Sequence, residues 1–428
     1  MARSLQALPG NTQFMENYAA LLVQTGDCEA ALAICQNGLA SSPANASLRY
    51  ISAVALLRLN RLQESVEQFD RVLLQQPNNV IALNERGSAL AQMKRFDDAL
   101  ASFARAISLN PRYAEAHFNE ALCRLLCGDL ARGWEKYEWR WEIGEARAEK
   151  RNFLRPRWTG KEDLAGKTIL LYAEQGFGDT IQFCRYAPLV AARGAHVVLE
   201  VQKPLRGLME TLLEGATIIA RGDPLPNFDF HCPLLSLPMA FGTTLDNLPS
   251  KPSYLFSSPT RTIDRGAGRL RIGLVWSASA TNKNTRNKSI GLKPLLPLLK
   301  LDAEFVSLQK EVRAEDAEIL RTQSALLHFG HELTDFSVTA EKLSHLDLLI
   351  SVDTSVAHLA GAMGKPVWVL LPFVPDWRWL LDRETSVWYP SARLFRQDES
   401  RTWDGVIARV QTALQESIVD NDRRGARP

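Results

Sequence analysis

Four stretches of the chain carry residue types whose spacing suits chemistry. The sharpest, Ser351 to Pro372, reads SVDTSVAHLAGAMGKPVWVLLP. Its pattern is strand end, loop, short helix, next strand. Asp353, Thr354 and Ser355 offer oxygens to cap that helix, and the amides of Ser355, Val356 and Ala357 point out of its start. Free amides at the positive end of a helix dipole suit a phosphate. His358, in the first turn, can hydrogen-bond a phosphate or a sugar, although a lone histidine is more often a satisfied core residue. Gly361 and Gly364 permit close packing and a helix stop.

The second stretch is EQGFGD, Glu174 to Asp179, between a strand and a helix. Gly176 and Gly178 let the backbone turn sharply and come close to a ligand. Asp179 falls at the helix start facing a cleft, where Asp is also simply a good N-cap. The third glycine of a dinucleotide fingerprint is missing. The third stretch, WSASATNKNTRNKSIGL from Trp276 to Leu292, gathers Lys283, Arg286 and Lys288 in a loop rich in Ser, Thr and Asn. It supplies local positive charge for a phosphate, or is a solvated basic loop. The fourth, PFVPDWRWLLDRETSVWYPSARLFRQ from Pro372, sets Trp377, Trp379, Trp388 and Tyr389 among Asp376, Arg378 and Arg396. Aromatic faces with polar edges suit sugars, but docking of a C-terminal helix back onto the first half is the preferred reading.

These motifs need elements to hold them. TILLYA from Thr168 reads as a buried strand, TIQFCRYAPLVAARG as a helix, HVVLEVQ from His196 as a strand and PLRGLMETL as a helix. Strand, helix, strand with apolar runs predicts a parallel sheet with right-handed crossovers. The Ser-, Pro- and Gly-rich segment 250–269 reads as a linker. A second α/β half opens with RIGLVW at Arg271 and continues through FVSLQK, LDLLISV and VWVLLP. Ligands in such sheets bind beyond the carboxyl ends of the strands, where the first three stretches fall.

The first third is repetitive. Pro9, Pro43, Pro77 and Pro111 are 34 residues apart. Ala19, Ala53, Gly87 and Ala121 share one phase, Ala31, Ser65, Ala99 and Gly133 a second, and Cys35, Phe69, Phe103 and Tyr137 a third. Small residues in two phases let paired helices approach, and the bulky third fills the space between them. Proline then stops each second helix. This resembles the tetratricopeptide repeat, with four units from about Thr12 to Trp141. Stacked repeats present a surface for peptides or partner domains, or act as a spacer. Trp134, Tyr137, Trp139 and Trp141 in the last unit are read as rings that glue the array to the following domain.

Composition bounds the function. Of 428 residues, 50 are Lys or Arg and 48 are Asp or Glu, a net charge of +2 that does not advertise nucleic-acid binding. No apolar run approaches the roughly 20 residues that span a bilayer. The N-terminus lacks a signal core, and the six cysteines read as reduced thiols, with a Cys123–Cys127 metal clip the lesser option. A bacterial-type cytoplasmic protein is expected.

From about Lys167 to Gln397 the chain resembles the heptosyltransferase-like glycosyltransferases (glycosyltransferase family 9), in the branch fused to tetratricopeptide repeats. QGFGDTIQF, the loop ending TRNKS and DTSVAHLAGAMGKP carry the resemblance. It implies that Asp179 is the general base, that Lys288 contacts the donor phosphate, and that Asp353, Thr354 and His358 bind the donor's phosphate and sugar. Ser355 stands where the family's turn has glycine. Nothing matches the family's acceptor-binding residues, so heptose is not implied.

The expected fold is α + α/β: helical repeats over 1–148, then a GT-B fold of two Rossmann-like halves. These are an acceptor side over 149–249 and a donor side over 270–418, followed by a tail over 419–428. The expected function is an inverting, metal-independent glycosyltransferase using a nucleotide-sugar donor and no cofactor. The repeats recruit a protein acceptor or partner. The alternative is a non-enzymatic adaptor whose GT-B domain only binds ligand or scaffolds.

Overall fold

The computed structural model describes residues 11–144, 147, 150–257, 268–278 and 288–425. The chain divides into two compact units, 1–148 and 149–428.

The first unit is a run of paired helices: α1 (Thr12–Thr25), α2 (Cys28–Ser41), α3 (Ala46–Arg58), α4 (Leu62–Gln75), α5 (Val80–Gln92), α6 (Phe96–Leu109), α7 (Ala114–Leu126) and α8 (Leu130–Tyr137). The repeating phases explain the pairing. Ala19, Ala53 and Ala121 are fully buried, as are Ala31, Ser65 and Ala99, and Cys35, Phe69 and Phe103 lie between them. A Cβ on Gly87 would sit 2.5 Å from the Phe103 ring, so that ring occupies the space the glycine leaves. Asn11, Asn45 and Asn79, spaced like the prolines, each cap the first helix of a pair by accepting an amide three residues on. Tyr113 holds that place in the fourth pair and makes no side-chain cap bond. Pro9 lies outside the described residues.

The aromatic end of the array packs into the array itself. Trp134 and Tyr137 are buried. Trp139 stacks on His117 with centroids 4.0 Å apart, and the buried Arg140 guanidinium lies 4.9 Å and 4.7 Å from the Tyr137 and Trp141 rings. All six cysteines are free thiols, and Cys127 is exposed.

The second unit holds two wholly parallel sheets. The first takes β1 (Thr168–Tyr172), β2 (His196–Val201), β3 (Thr217–Ala220) and β4 (Phe230–Pro233) in the order β3-β2-β1-β4. Between β1 and β2 the predicted long helix is broken. Helix α9 covers Phe177–Phe183, a 3-10 turn follows, and Pro188 opens a second short helix over Ala187–Ala191. The stretch after β2 is likewise a 3-10 turn and one helical turn rather than a full helix.

The second sheet takes β5 (Arg271–Val275), β6 (Glu304–Ser307), β7 (Leu326–His328), β8 (Leu348–Val352), β9 (Val367–Leu371) and β10 (Ala392–Arg396) in the order β10-β9-β8-β5-β6-β7. Helices α10 (Phe336–Ser344) and α11 (Ser355–Ala362) flank β8, and α12 (Asp404–Gly425) closes the chain. Two expectations are corrected here. The C-terminal helix does not return to the first half: Val406, Ile407, Val410 and Leu414 pack into the core of the second sheet with Ile272, Leu274 and Phe305. Nor does a tail begin at 419, because α12 continues to Gly425. ARLFR, within the aromatic stretch, is the edge strand β10.

The described part of the linker bonds to helices of both halves. Tyr254 and Leu255 donate their amides to the Ala362 carbonyl, and the Tyr254 hydroxyl donates to Ile181 O at 3.0 Å. Among the described residues no helix is long and apolar enough to cross a membrane.

Candidate functional site

Each sheet has one point where strand order reverses, between β1 and β4 in the first and between β5 and β8 in the second. Loops leave in opposite directions there and open a crevice. The loop after β1 and the first turn of α9 carry Gln175–Asp179, the loop after β5 carries Ser277 and Ala278, and the loop after β8 with the start of α11 carries Asp353–Ser355. All line one cleft of about 610 Å³, together with Lys288, His358, Asp376 and Arg378.

The β1 loop is built differently from its sequence reading. The left-handed residue is Gln175, at φ 60°. Its carbonyl accepts from Gln202 Nε2 at 3.1 Å, and Gln202 Oε1 accepts from Thr180 at 2.9 Å. Gly176, at φ −82°, is the N-cap of α9. Asp179 is therefore the third residue of the helix rather than its cap, and its Oδ2 accepts the Gly176 amide at 2.9 Å. Gly178 serves packing, since a Cβ there would lie 2.9 Å from His358 Cδ2. Helices α9 and α11 thus meet first turn to first turn, with glycine against histidine.

On the other side, Thr354 caps α11 by accepting the Ala357 amide at 3.3 Å. That amide, read from the sequence as free, is spent, which leaves those of Ser355 and Val356 at the helix start. His358 is buried; its Nδ1 shares a 2.9 Å hydrogen bond with the Tyr389 hydroxyl, and its Nε2 lies 3.5 Å from Asp353 Oδ1. Lys288 Nζ donates to Asp353 Oδ2 at 2.5 Å and lies 3.9 Å from Asp376 Oδ2.

Burial opposes charge on Asp353, but the Lys288 ammonium and His358 outweigh it and hold the carboxyl well below the ordinary range. Lys288 is moved the other way: burial lowers it, and Asp353 and Asp376 more than restore it, so its pKa is raised. Asp353 therefore turns one oxygen to Lys288 and the other toward His358. Lys283 and Arg286 lie outside the described residues. The ends of their loop are pinned by buried Asp316, which accepts from Trp276 Nε1 at 2.9 Å and from the Leu292 amide at 2.7 Å. Gln309 splices β5 to β6 by accepting from the Trp276 and Ser277 amides, each at 3.0 Å.

The aromatic stretch after β9 does dock on the first half, through its own residues. Trp388 stands edge-on to Phe183, 5.7 Å away, and Trp388 O accepts from Arg185 at 2.9 Å. The same stretch also enters the cleft. Arg378 donates from Nη2 to Asp179 Oδ1 and from Nη1 to Asp376 Oδ1 at 2.8 Å, while lying 4.1 Å from the Trp377 ring centroid. Burial opposes charge on Asp376, and Arg378 and Lys288 overcome it, lowering its pKa. From the sequence, Asp376 and Arg378 belong to a stretch that suits either sugars or docking, with docking preferred. The signal was a charged pair set among tryptophans in PDWRW. Gln202, Gln309 and Tyr389 carried no signal of their site roles, because each acts through a contact distant in sequence.

Tetratricopeptide-repeat families match residues 80–113 and 22–84. Protein FlbA of Caulobacter vibrioides is 24% identical over 430 residues, covering 85% of this chain and 72% of FlbA. Among solved structures, MamA is 17% identical with a TM-score of 0.31, covering 35% of this chain and 87% of its own. YrrB, described as a TPR protein with an unusual peptide-binding site, is 21% identical with a TM-score of 0.30, covering 35% and 76%. The N-terminal unit thus carries tetratricopeptide repeats, and a parallel α/β unit follows them.

Proposed function

We propose that the second unit is an inverting glycosyltransferase of GT-B architecture. It uses a nucleotide-sugar donor without metal and transfers to a hydroxyl acceptor. One observation carries this reading. The loop ends of two parallel sheets meet across a single cleft, with Asp179 on one wall and Lys288, His358 and the α11 start on the other. Acid–base and anion-binding groups thus come from different halves, as a bisubstrate transfer needs. Asp179 takes the acceptor proton as the hydroxyl attacks the anomeric carbon. Lys288 and the Ser355 and Val356 amides stabilise the leaving diphosphate. The chain's Asp-x-Asp, Asp420-Asn421-Asp422, lies in α12, away from the strand ends. The repeats recruit a protein acceptor or partner; the acceptor is otherwise a glycan intermediate.

The adaptor reading draws on a different observation: Asp179 and Lys288 are both already engaged by protein partners. One experiment separates the two. Purified protein is screened for binding and turnover of a nucleotide-sugar panel, wild type beside Asp179→Asn. Turnover that falls about 10²–10⁴-fold in a stably folded variant supports the enzyme. Binding without turnover in the wild type supports the adaptor.

A further inference from the structure

The charges lining the cleft pose a problem for a diphosphate. Among its described residues, Lys288, Lys310 and Arg378 face five acids: Asp179, Glu311, Asp335, Asp353 and Asp376. Lys288 is held on Asp353, and Arg378 bridges Asp179 and Asp376. The proposed base has a problem too. One oxygen of Asp179 accepts the Gly176 amide and the other the Arg378 guanidinium, so each oxygen already holds a donor when an acceptor hydroxyl arrives. Removing Arg378 from Asp179 answers both needs.

We propose that Arg378 serves two anions in turn: Asp179 in the empty cleft, and the donor's diphosphate once it binds. Donor binding thereby frees the base. This rests on the glycosyltransferase reading and adds a residue and an order of events to it. Arg378 is placed for the exchange. It shares Asp376 with Lys288, so a phosphate at Lys288 comes within reach of the guanidinium. The Trp377 ring, 4.1 Å away, gives it an apolar platform to slide on.

The turn that presents Arg378 is itself held firmly. Leu380 sits at φ 52° and ψ −166°, a region that side chains other than glycine rarely adopt. Arg396 holds the turn there, donating to the carbonyls of Leu380, Trp379 and Arg383 at 3.0, 2.7 and 2.8 Å. The exchange is therefore a side-chain movement over fixed backbone.

In the transfer step the acceptor oxygen bonds to the anomeric carbon and its proton passes to Asp179. The bond from the anomeric carbon to the diphosphate oxygen breaks, and its electron pair leaves with the diphosphate. Arg378 and Lys288 meet the charge that develops there.

The test is a double-mutant cycle on inorganic pyrophosphate binding to the full chain, read by calorimetry with melting temperatures alongside. R378Q is expected to weaken binding about tenfold. D179N, which releases Arg378, is expected to tighten it about fivefold in the wild-type background and less than about twofold in the R378Q background. An equal D179N gain in both backgrounds reports only the loss of a repelling charge and overturns the proposal, as does unchanged affinity in R378Q. If R378Q does not fold, R378K replaces it. A lone ammonium cannot fork between two anions, so the D179N gain should shrink by about half or more, and an undiminished gain overturns the exchange. A wild type that binds neither pyrophosphate nor any nucleoside diphosphate at millimolar concentration overturns the glycosyltransferase reading and this proposal together. Tight binding with equal gains overturns the exchange alone.

Discussion

At the scale of single residues, the Lys288–Asp353 pair and the glycine facing His358 govern the cleft. Both members of the pair are nearly excluded from solvent, at 12% and 6% side-chain exposure. Removing one leaves an uncompensated buried charge, so Lys288→Met should cost about 3–5 kcal/mol in urea unfolding. Lys288→Met/Asp353→Asn should recover part of that loss. A binding assay on a Lys288 variant therefore needs a melting curve beside it.

The pair also sets a pH dependence. The folded pKa of Asp353 lies below its ordinary 3.8, so its contribution is present above that value and is lost as pH falls through the folded pKa. The stability gap between wild type and Asp353→Asn should be full at neutral pH and narrow below about pH 3.8. Gly178→Ala pushes a methyl toward a histidine that Tyr389 and Asp353 hold in place. We expect about 1–3 kcal/mol of destabilisation, with a smaller change in Gly176→Ala, whose added carbon meets only the Asp179 carboxylate at 3.2 Å. Equal melting temperatures for the two variants would contradict this packing.

At the scale of elements, the repeat helices show how one missing methyl sets a local arrangement. Three of the four residues in the Gly87 phase are alanines, so alanine suits that phase in general. At Gly87 the Phe103 ring fills the space instead, at 2.5 Å from an added Cβ. Gly87→Ala should therefore destabilise the array by about 1–2 kcal/mol despite its better helix propensity. Combined with Phe103→Leu, it should cost less than the sum of the two single changes. Additive penalties in thermal unfolding would show that ring and glycine are not coupled.

At the scale of the whole molecule, Arg185 fastens the two sheets of the second unit. Its guanidinium, fully buried, donates to Pro249 O at 3.1 Å, Trp388 O at 2.9 Å and the Tyr254 hydroxyl at 2.8 Å. It also lies 4.8 Å from the Tyr389 ring. First half, linker and second half thus share one side chain. Arg185→Met strands several buried acceptors and should cost about 3 kcal/mol or more. It should also loosen Tyr389, so pyrophosphate affinity should fall with stability. If the repeats recruit a protein acceptor for the proposed transfer, deleting residues 1–111 should leave nucleotide-diphosphate binding in place while transfer to that acceptor is lost; full-rate transfer would remove the repeats as an acceptor platform.

What the sequence determined by itself was whatever repeats or alternates locally. The 34-residue phases of proline, alanine and aromatic residues declare paired helices, because helix packing requires small residues at fixed intervals. The apolar runs at Thr168, His196, Arg271 and Val367 declare buried parallel strands for the same local reason. Strand ends followed by EQGFGD and DTSVAH place those motifs at the mouths of the sheets. Only the tertiary structure decided which charges meet. Asp179 and Arg378 are 199 positions apart, and Lys288 and Asp353 are 65 apart. No periodicity records such pairs, since they form only when β1, β5, β8 and β9 bring their ends to one cleft. The docking of α12 on its own sheet and the burial of Arg185 belong to the same class: each is chosen by the fit of surfaces that the chain assembles from distant segments.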